Sequence, residues 1–190
     1  MNNHQHVITA REKRWLSALY GKTLKLIEGY RFDFDHDDNK TTFYSTARLH
    51  MKDGGAYDLK TTFVHVDITD DFWDDVGEFH FGSATGDIWA PEGIDTFKLT
   101  INRKIDEVLL VNDHDVLKHG EEVVGRFAFT KAILLRSGES YISLAMDDFC
   151  EDAIVVRTGR DRASLVPDDS GSWYEKPGWT DDYTRAYESI

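Results

Sequence analysis

Apolar side chains recur at every second position along most of this chain, and this alternation limits its possible folds more than any other feature. Neighbouring side chains of a strand point to opposite faces, so an alternating run predicts a strand with one buried face. The first such run contains Leu24, Leu26, Tyr30, Phe32 and Phe34. Further runs follow at 43–51, at 56–68 and across 97–158. We therefore predict a mainly β (β-rich α+β) fold, an antiparallel sandwich or barrel of about eight or nine strands.

The elements are predicted to form a single domain over 1–190. A short N-terminal helix is expected at 9–21, because Thr9 and Glu12 have the spacing of a capping box and Gly21 can end the helix. The remaining parts are a three-stranded meander at 22–68, an acidic aromatic segment at 69–96, a second group of strands at 97–158 and a tail at 159–190.

Two of these parts lack a clear strand pattern. In the acidic aromatic segment, Thr69 is expected to cap a helical turn through Trp73, before a short strand at 78–81 and an irregular loop at 82–93. The tail carries aromatic rings among acids, Gly and Pro. We expect it to dock through those rings rather than to form a strand, with Thr180 capping a last helix.

The composition limits the class of protein. The chain has 190 residues, of which 41% are hydrophobic, enough for one packed core despite a formal net charge of -13. Thirty-five acidic against 22 basic residues argue against nucleic acid as a partner. Cys150 is the sole cysteine, which excludes an intramolecular disulfide and favours a reducing compartment. With no apolar run of membrane-spanning length, we expect a soluble, cytoplasmic protein without membrane contact.

The acidic aromatic segment suggests a function. No Lys or Arg occurs between Lys60 and Lys98, whereas nine carboxylates and several large rings do. Such a surface favours cationic partners. The leading hypothesis is a non-enzymatic interaction protein that binds or masks a basic protein partner, in the manner of an inhibitor or immunity protein. An equally weighted interpretation is that the acids keep a β protein soluble while the rings fill its core. The predicted partner-binding residues are Asp70, Asp71, Phe72, Trp73, Asp74, Asp75, Glu78 and Trp89, with Trp173 and Trp179 as further aromatic anchors.

An alternative is a β fold that binds or transforms a small apolar ligand in an internal cavity. A metal site could accompany it, because His65 and Asp67, like Glu78 and His80, stand two positions apart and share a strand face. Nothing in the sequence shows that the two pairs converge, so no metal site or cofactor is predicted. His4 and His6 precede the first predicted element and are left out of this candidate site.

No catalytic residue is predicted, since no known catalytic motif occurs. Asp33, Asp35 and Asp37 have the alternate spacing of a calcium loop, but the Gly and the closing Glu of that motif are missing, so an acidic hairpin tip is expected there. The residues 113–115, Asp-His-Asp, are likewise interpreted as a charged hairpin tip.

Overall fold

The computed structural model describes residues 2–32, 40–69, 72–147, 152–167 and 178–190. Within these ranges the chain forms one helix and eleven strands. In chain order they are β1 (Asn2–His6), α1 (Ala10–Ser17), β2 (Thr23–Arg31), β3 (Lys40–Met51), β4 (Ala56–Thr69), β5 (Phe72–Ser83), β6 (Phe97–Lys104), β7 (Glu107–His119), β8 (Glu122–Ser137), β9 (Ser140–Met146), β10 (Ala153–Gly159) and β11 (Trp179–Ser189). The predicted mainly β class with a short N-terminal helix is confirmed, but the sheet contains eleven strands in the described ranges instead of about eight or nine.

The strands form one open, branched sheet. Its main path runs β11-β7-β8-β9-β10-β3-β2-β6, while β4 joins β3 to β5 and β1 pairs with β8. The β1–β8 pair is parallel, and the other pairs in the described ranges are antiparallel. The expected meander at 22–68 corresponds to β2, β3 and β4.

The sheet branches at β3 because this strand has two neighbours along one edge. Lys40–Tyr44 pairs with β10, and Thr46–His50 pairs with β4. Ser45, between them, adopts a left-handed φ of 57°. A non-glycine residue in this region interrupts regular pairing, so the pairing partner changes at Ser45 and β4–β5 diverges from β10.

The sheet has an apolar cluster on each face. The larger cluster draws buried residues from β2–β5 and β7–β10 and includes Leu16 of α1. The smaller one consists of residues such as Val111, Leu134 and Ala145, covered by Val166 from the chain after β10. Both faces of β8 are therefore buried through its middle, as its continuous run of buried residues from 127 to 135 shows.

The N-terminal helix follows the predicted capping box. Thr9 Oγ1 accepts a hydrogen bond from Glu12 N, and the Glu12 carboxylate accepts one from Thr9 N. The α-helix ends at Ser17, earlier than the predicted boundary, and turns continue to Gly21. Gly21 takes a φ of 77° and donates its N–H to the Ile105 carbonyl, a conformation that glycine adopts without strain.

The prediction for the tail was wrong. Residues 179–189 form β11, which pairs along β7 from Trp179↔His119 to Ser189↔Leu109, and Thr180 lies in this strand rather than at a helix start. Burial alternates along β11, but its better-buried positions include Asp181 and Arg185 as well as rings. Because charged residues occupy some of the partly buried positions, the apolar side chains of this segment do not alternate regularly, and the sequence does not indicate a strand.

Two further local predictions were wrong. The helical turn expected from Thr69 through Trp73 is replaced by the end of β4 and the start of β5, whereas the strand expected at 78–81 is confirmed as part of the longer, twelve-residue β5. Asp113, His114 and Asp115 lie inside β7 and not at a hairpin tip. The expected tip around Asp33, Asp35 and Asp37 lies outside the described residues. No helix in the described ranges is long and apolar enough to cross a membrane.

Candidate functional site

Apart from Glu78 in the middle of β5, the described carboxylates between Lys60 and Lys98 form two groups at opposite ends of this strand. Asp67 and Asp75 lie in the far part of the β4–β5 pair, where they contact His65 at 3.4 and 3.1 Å. Asp87, Glu92 and Asp95 are exposed in the connection between β5 and β6, residues 84–96, called here the acidic loop. The strand between the groups, from Asp75 to Ser83, spans about 26 Å at about 3.3 Å per residue. The described acids therefore do not share one face.

Several predicted contact residues cannot be assigned to either group. Asp70, Asp71 and Trp173 lie outside the described residues, as do the side chains of Phe72, Trp73 and Asp74, whose backbone belongs to β5. Trp179 is partly buried in β11 and stacks on His119, with ring centroids 5.1 Å apart. Among the predicted aromatic anchors with described side chains, Trp89 is the exposed one.

The acidic loop presents two large apolar side chains to solvent. Trp89 is 57% exposed and Ile94 is 53% exposed. The Trp89 ring packs edge-on against Tyr30, at 5.7 Å between centroids, and at a tilt against Tyr44, at 5.4 Å. These contacts restrict the indole to one orientation while leaving much of its surface open.

One end of the acidic loop is fixed by an ion pair. Arg48 donates two hydrogen bonds to the buried Asp58 carboxylate, at 2.7 and 3.0 Å. Arg48 Nη2 also donates to the carbonyls of Thr85 and Gly86, at 3.3 and 3.1 Å. The guanidinium thus joins the loop to β3 and β4, and Asp58 balances its charge.

The other end of the acidic loop is fixed by Glu28 of β2. Thr96 Oγ1 donates to Glu28 Oε1 at 2.5 Å, and His50 Nε2 lies 2.8 Å from Oε2. Burial acts to raise the pKa of Glu28, but hydrogen bonds from Thr96 and His50, with the charge of Lys98, hold that pKa below its usual value. Both ends of the loop are therefore held by ionised groups.

A second candidate site surrounds Glu78. Its carboxylate lies within ion-pair distance of three imidazoles: His4 Nε2 at 3.1 Å, His6 Nδ1 at 3.3 Å and His80 Nε2 at 3.7 Å. The Glu78 side chain is only 13% exposed. Although predicted to contact a partner, it faces histidines of its own chain instead of open solvent.

Strand geometry explains why these side chains meet. Glu78 and His80 lie two residues apart on one face of β5. His4 and His6 share a face of β1, whose parallel pairing with β8 places them in register with Phe127 and Phe129. No ladder pairs β1 with β5 in the described ranges, but His6 Nε2 reaches the Phe79 carbonyl at 3.2 Å. The cluster lies where these two strands approach through side chains.

Glu12 of α1 completes the surroundings of His80. Glu12 Oε1 lies 3.8 Å from His80 Nδ1 and accepts a hydrogen bond from Phe81 N at 3.0 Å. Burial acts to raise the pKa of Glu12, but hydrogen bonds from Thr9 and Phe81 outweigh it and lower that pKa. The capping box of α1 thus places a second carboxylate at the cluster.

A groove of about 600 Å³ opens beside the cluster. His6 and His80 line it together with Thr9, Arg11, Glu12, Trp15 and residues 81–83 and 85. The wall combines a cation, a carboxylate and imidazoles with one indole. With Trp15 and Phe81 beside these polar groups, the lining suits a small molecule that has both apolar and polar parts.

The four metal candidates from the sequence do not converge. Glu78 and His80 lie together, but His65 is paired with Asp75, and odd and even positions of β5 face opposite ways. His65 and Asp67 therefore lie on the other face, and the additional imidazoles come from His4 and His6. The sequence signal for these two was a His-x-His spacing in an extended segment, with nothing to connect it to a strand more than 70 residues away.

No protein-family model, no curated protein and no solved structure matches this chain.

Proposed function

We propose that this is a non-enzymatic interaction protein that binds a basic segment of a protein partner through the acidic loop. The observation that carries the proposal is Trp89, an indole 57% exposed yet packed against two tyrosine rings. Asp87, Glu92 and Asp95 are its neighbours along the chain, in a stretch without Lys or Arg. The proposed surface is smaller than the predicted one and lies at the end of β5 away from Asp75.

Affinity and selectivity come from different groups in this proposal. An exposed ion pair contributes about 0.2–1 kcal/mol, so three carboxylates alone do not hold a partner. Burying a tryptophan in an interface can contribute 2 kcal/mol or more, roughly the loss seen when such an anchor is truncated. Trp89 thus supplies most of the binding energy, and the acids select and steer a cationic partner.

The acidic loop is already ordered before a partner binds. Arg48 and Glu28 hold its two ends through ion pairs and hydrogen bonds. A loop already ordered before contact loses less conformational entropy on binding. An inhibitor or immunity-like protein that masks a basic surface in the cytoplasm fits this arrangement, as does the net charge of -13.

The test places a photo-crosslinking amino acid at Ile94 of the full-length chain in its source cell. A matched control chain carries the same group at Tyr20, which is 68% exposed beyond the end of α1. We expect a basic protein to cross-link at position 94 and not at position 20. When cross-linking is repeated in a lysate of these cells, the yield should fall as salt rises from about 50 to about 500 mM, because salt screens exposed charges.

Substitutions then separate charge from the anchor. Replacing Asp87, Glu92 and Asp95 together by Asn, Gln and Asn should lower the yield of the cross-link and remove most of its dependence on salt. Trp89→Ala should raise the dissociation constant of the identified partner by at least about thirtyfold, which corresponds to the ~2 kcal/mol of a hot-spot residue. Cross-links that persist unchanged in both variants, or that join a partner without excess positive charge, would contradict the proposal.

A further inference from the structure

We propose that the protein binds one divalent transition-metal ion between β1 and β5, with His6, Glu78 and His80 as ligands and His4 beside them. Each of the three ligands offers one atom, and these atoms all lie within 4.8 Å of one another. Ligand atoms at about 2.1 Å from a shared ion stand about 3.0–3.4 Å apart. The distances of 3.3 Å from His6 and 3.7 Å from His80 to Glu78 Oε2 are close to that range. Small side-chain rotations therefore close the set around an ion.

The hydrogen bonding of His6 points to a cation. Its Nε2 lies 3.2 Å from the Phe79 carbonyl oxygen, which can only accept, so Nε2 carries the proton. Nδ1 is then the ring nitrogen that faces the Glu78 carboxylate, 3.3 Å away. A metal ion between these two groups would have both as ligands, and the Nε2–H bond to a carbonyl is the usual way in which proteins orient a metal-binding histidine.

A carboxylate also lies behind His80, at ion-pair rather than hydrogen-bond distance. His80 Nδ1 lies 3.8 Å from Glu12 Oε1, which leaves Nε2 directed at Glu78. Thr62 Oγ1, 3.1 Å from this nitrogen, can rotate its hydroxyl away when Nε2 coordinates an ion. A carboxylate behind a ligand imidazole raises its basicity and fixes its tautomer. Glu12 is thus a positioning residue, fixed by its hydrogen bonds from Thr9 and Phe81.

Charge balance and an unsatisfied atom support the same site. Glu12 and Glu78 bring two carboxylates close to the imidazoles of the cluster. His4 Nε2 is buried and lies 3.1 Å from Glu78 Oε1, but no hydrogen bond of acceptable geometry to it occurs in the described part of the chain. A divalent ion would compensate both carboxylates and provide His4 Nε2 with a partner.

The donor set indicates the kind of metal. Two imidazoles and one carboxylate suit Zn²⁺, Fe²⁺, Mn²⁺ or Co²⁺, whereas Ca²⁺ and Mg²⁺ prefer oxygen alone. Three protein ligands leave coordination positions free for water or a small anion. His6 and His80 line the groove that also contains Arg11, so an anion on the ion would meet a second positive charge there.

The experiment is a titration of the tag-free, full-length protein with Zn²⁺ and with Co²⁺. Calorimetry should give one Zn²⁺ per chain, and Co²⁺ should produce visible absorption bands at the same stoichiometry. Removing a residue that orients a metal ligand typically lowers metal affinity about 10- to 100-fold, and the loss for Glu12→Gln should lie in this range. His6→Ala and Glu78→Gln remove ligands themselves and should lower the affinity further. The matched control is His65→Ala, which removes an imidazole from a His–Asp cluster on the other face and should leave the affinity unchanged.

A second measurement does not depend on variants that fold. In the wild-type protein, Co²⁺ should shift the imidazole NMR signals of His6 and His80 strongly and those of His65 little. The proposal is overturned if the wild type shows no saturable binding, if Co²⁺ shifts His65 instead, or if folded His6→Ala and Glu78→Gln bind as tightly as His65→Ala. Since these readouts do not involve the acidic loop, they stand apart from the test of the protein partner.

Discussion

Gly29 of β2 packs directly against the next strand. A Cβ added there would lie 2.5 Å from Phe43 Cδ1 and 2.7 Å from the Thr46 carbonyl oxygen. Phe43 is fully buried and the carbonyl belongs to the backbone, so neither can move away cheaply. We expect Gly29→Ala to lower the free energy of unfolding by about 1–3 kcal/mol, the usual cost of overpacking a core. Urea unfolding followed by circular dichroism measures this change.

Gly82 provides the matched control. It also lies in a strand, but an added Cβ would meet no atom within 4 Å. Gly82→Ala should stay within about 0.5 kcal/mol of wild type, as expected for a change without a close neighbour. An equal loss in the two variants would show that the contact with Phe43 is not the cause.

Glu28 makes the anchoring of the acidic loop dependent on pH. Its pKa lies below the usual value of 4.5, so the folded state favours the ionised form. A lowered folded-state pKa stabilises the protein above the unfolded-state pKa, and this stability is lost as pH falls through the folded-state pKa. Wild type should therefore exceed Glu28→Gln in unfolding free energy at pH 7, and the difference should shrink as pH falls below about 4.5.

The measurement is urea unfolding of both proteins between pH 7 and pH 3. Glu92→Gln serves as the control, because Glu92 is exposed in the same loop and should behave as wild type throughout this range. A difference between wild type and Glu28→Gln that stays constant with pH would contradict the role assigned to the carboxylate.

At the scale of elements, β11 depends on a buried ion pair. Arg185 donates two hydrogen bonds of 2.8 Å to the carboxylate of Asp113, which is fully buried in β7. Arg185 Nη2 also donates to the Pro167 carbonyl at 2.6 Å. One guanidinium therefore links β11, β7 and the chain after β10. Arg185→Met should cost about 3–5 kcal/mol, because it leaves a buried carboxylate without its counter-charge.

An exposed pair between the same two strands serves as the control. Lys118 of β7 bonds Asp182 of β11, and the Asp182 side chain is 65% exposed. Lys118→Met should cost less than about 1 kcal/mol in chemical unfolding. The double variant Asp113→Leu/Arg185→Met should recover most of the loss caused by Arg185→Met. A loss from Arg185→Met as small as that from Lys118→Met would disprove the buried-pair argument.

Some strands could be predicted from the sequence and others could not, depending on whether their buried face is marked by local apolar residues. Strands β2, β3 and β4 follow one another through short links, and the alternation of Leu24, Phe43 or Leu59 with polar neighbours marks their buried face. β1 reads Asn-Asn-His-Gln-His and carries no apolar residue. It is a strand because its backbone pairs with β8, more than 120 residues away, and no local pattern encodes that pairing.

At the scale of the whole molecule, strand β5 positions both proposed sites. The β5 chain carries Glu78 and His80 to β1 in its middle, and it delivers the acidic loop to Arg48 at its end. The two sites share no residue. Loss of the acids in the loop should leave the His–Glu cluster intact, and loss of His6 should leave Trp89 in place.

By itself the sequence determined properties that depend on near neighbours. Alternation predicted the mainly β class, Thr9 and Glu12 predicted the cap of α1, and the absence of Lys and Arg between Lys60 and Lys98 defined the acidic stretch. Spacing along a strand decides which side chains share a face, and that information is local.

The tertiary structure alone decided which faces meet. It separated Asp75 from Asp95, enclosed Glu78 among His4, His6 and His80, and left Trp89 exposed on two tyrosine rings. These outcomes depend on pairing between strands far apart in the chain, which is set by the packing of the entire core and not by any one segment. A carboxylate becomes a steering charge or a candidate metal ligand according to what that packing places beside it.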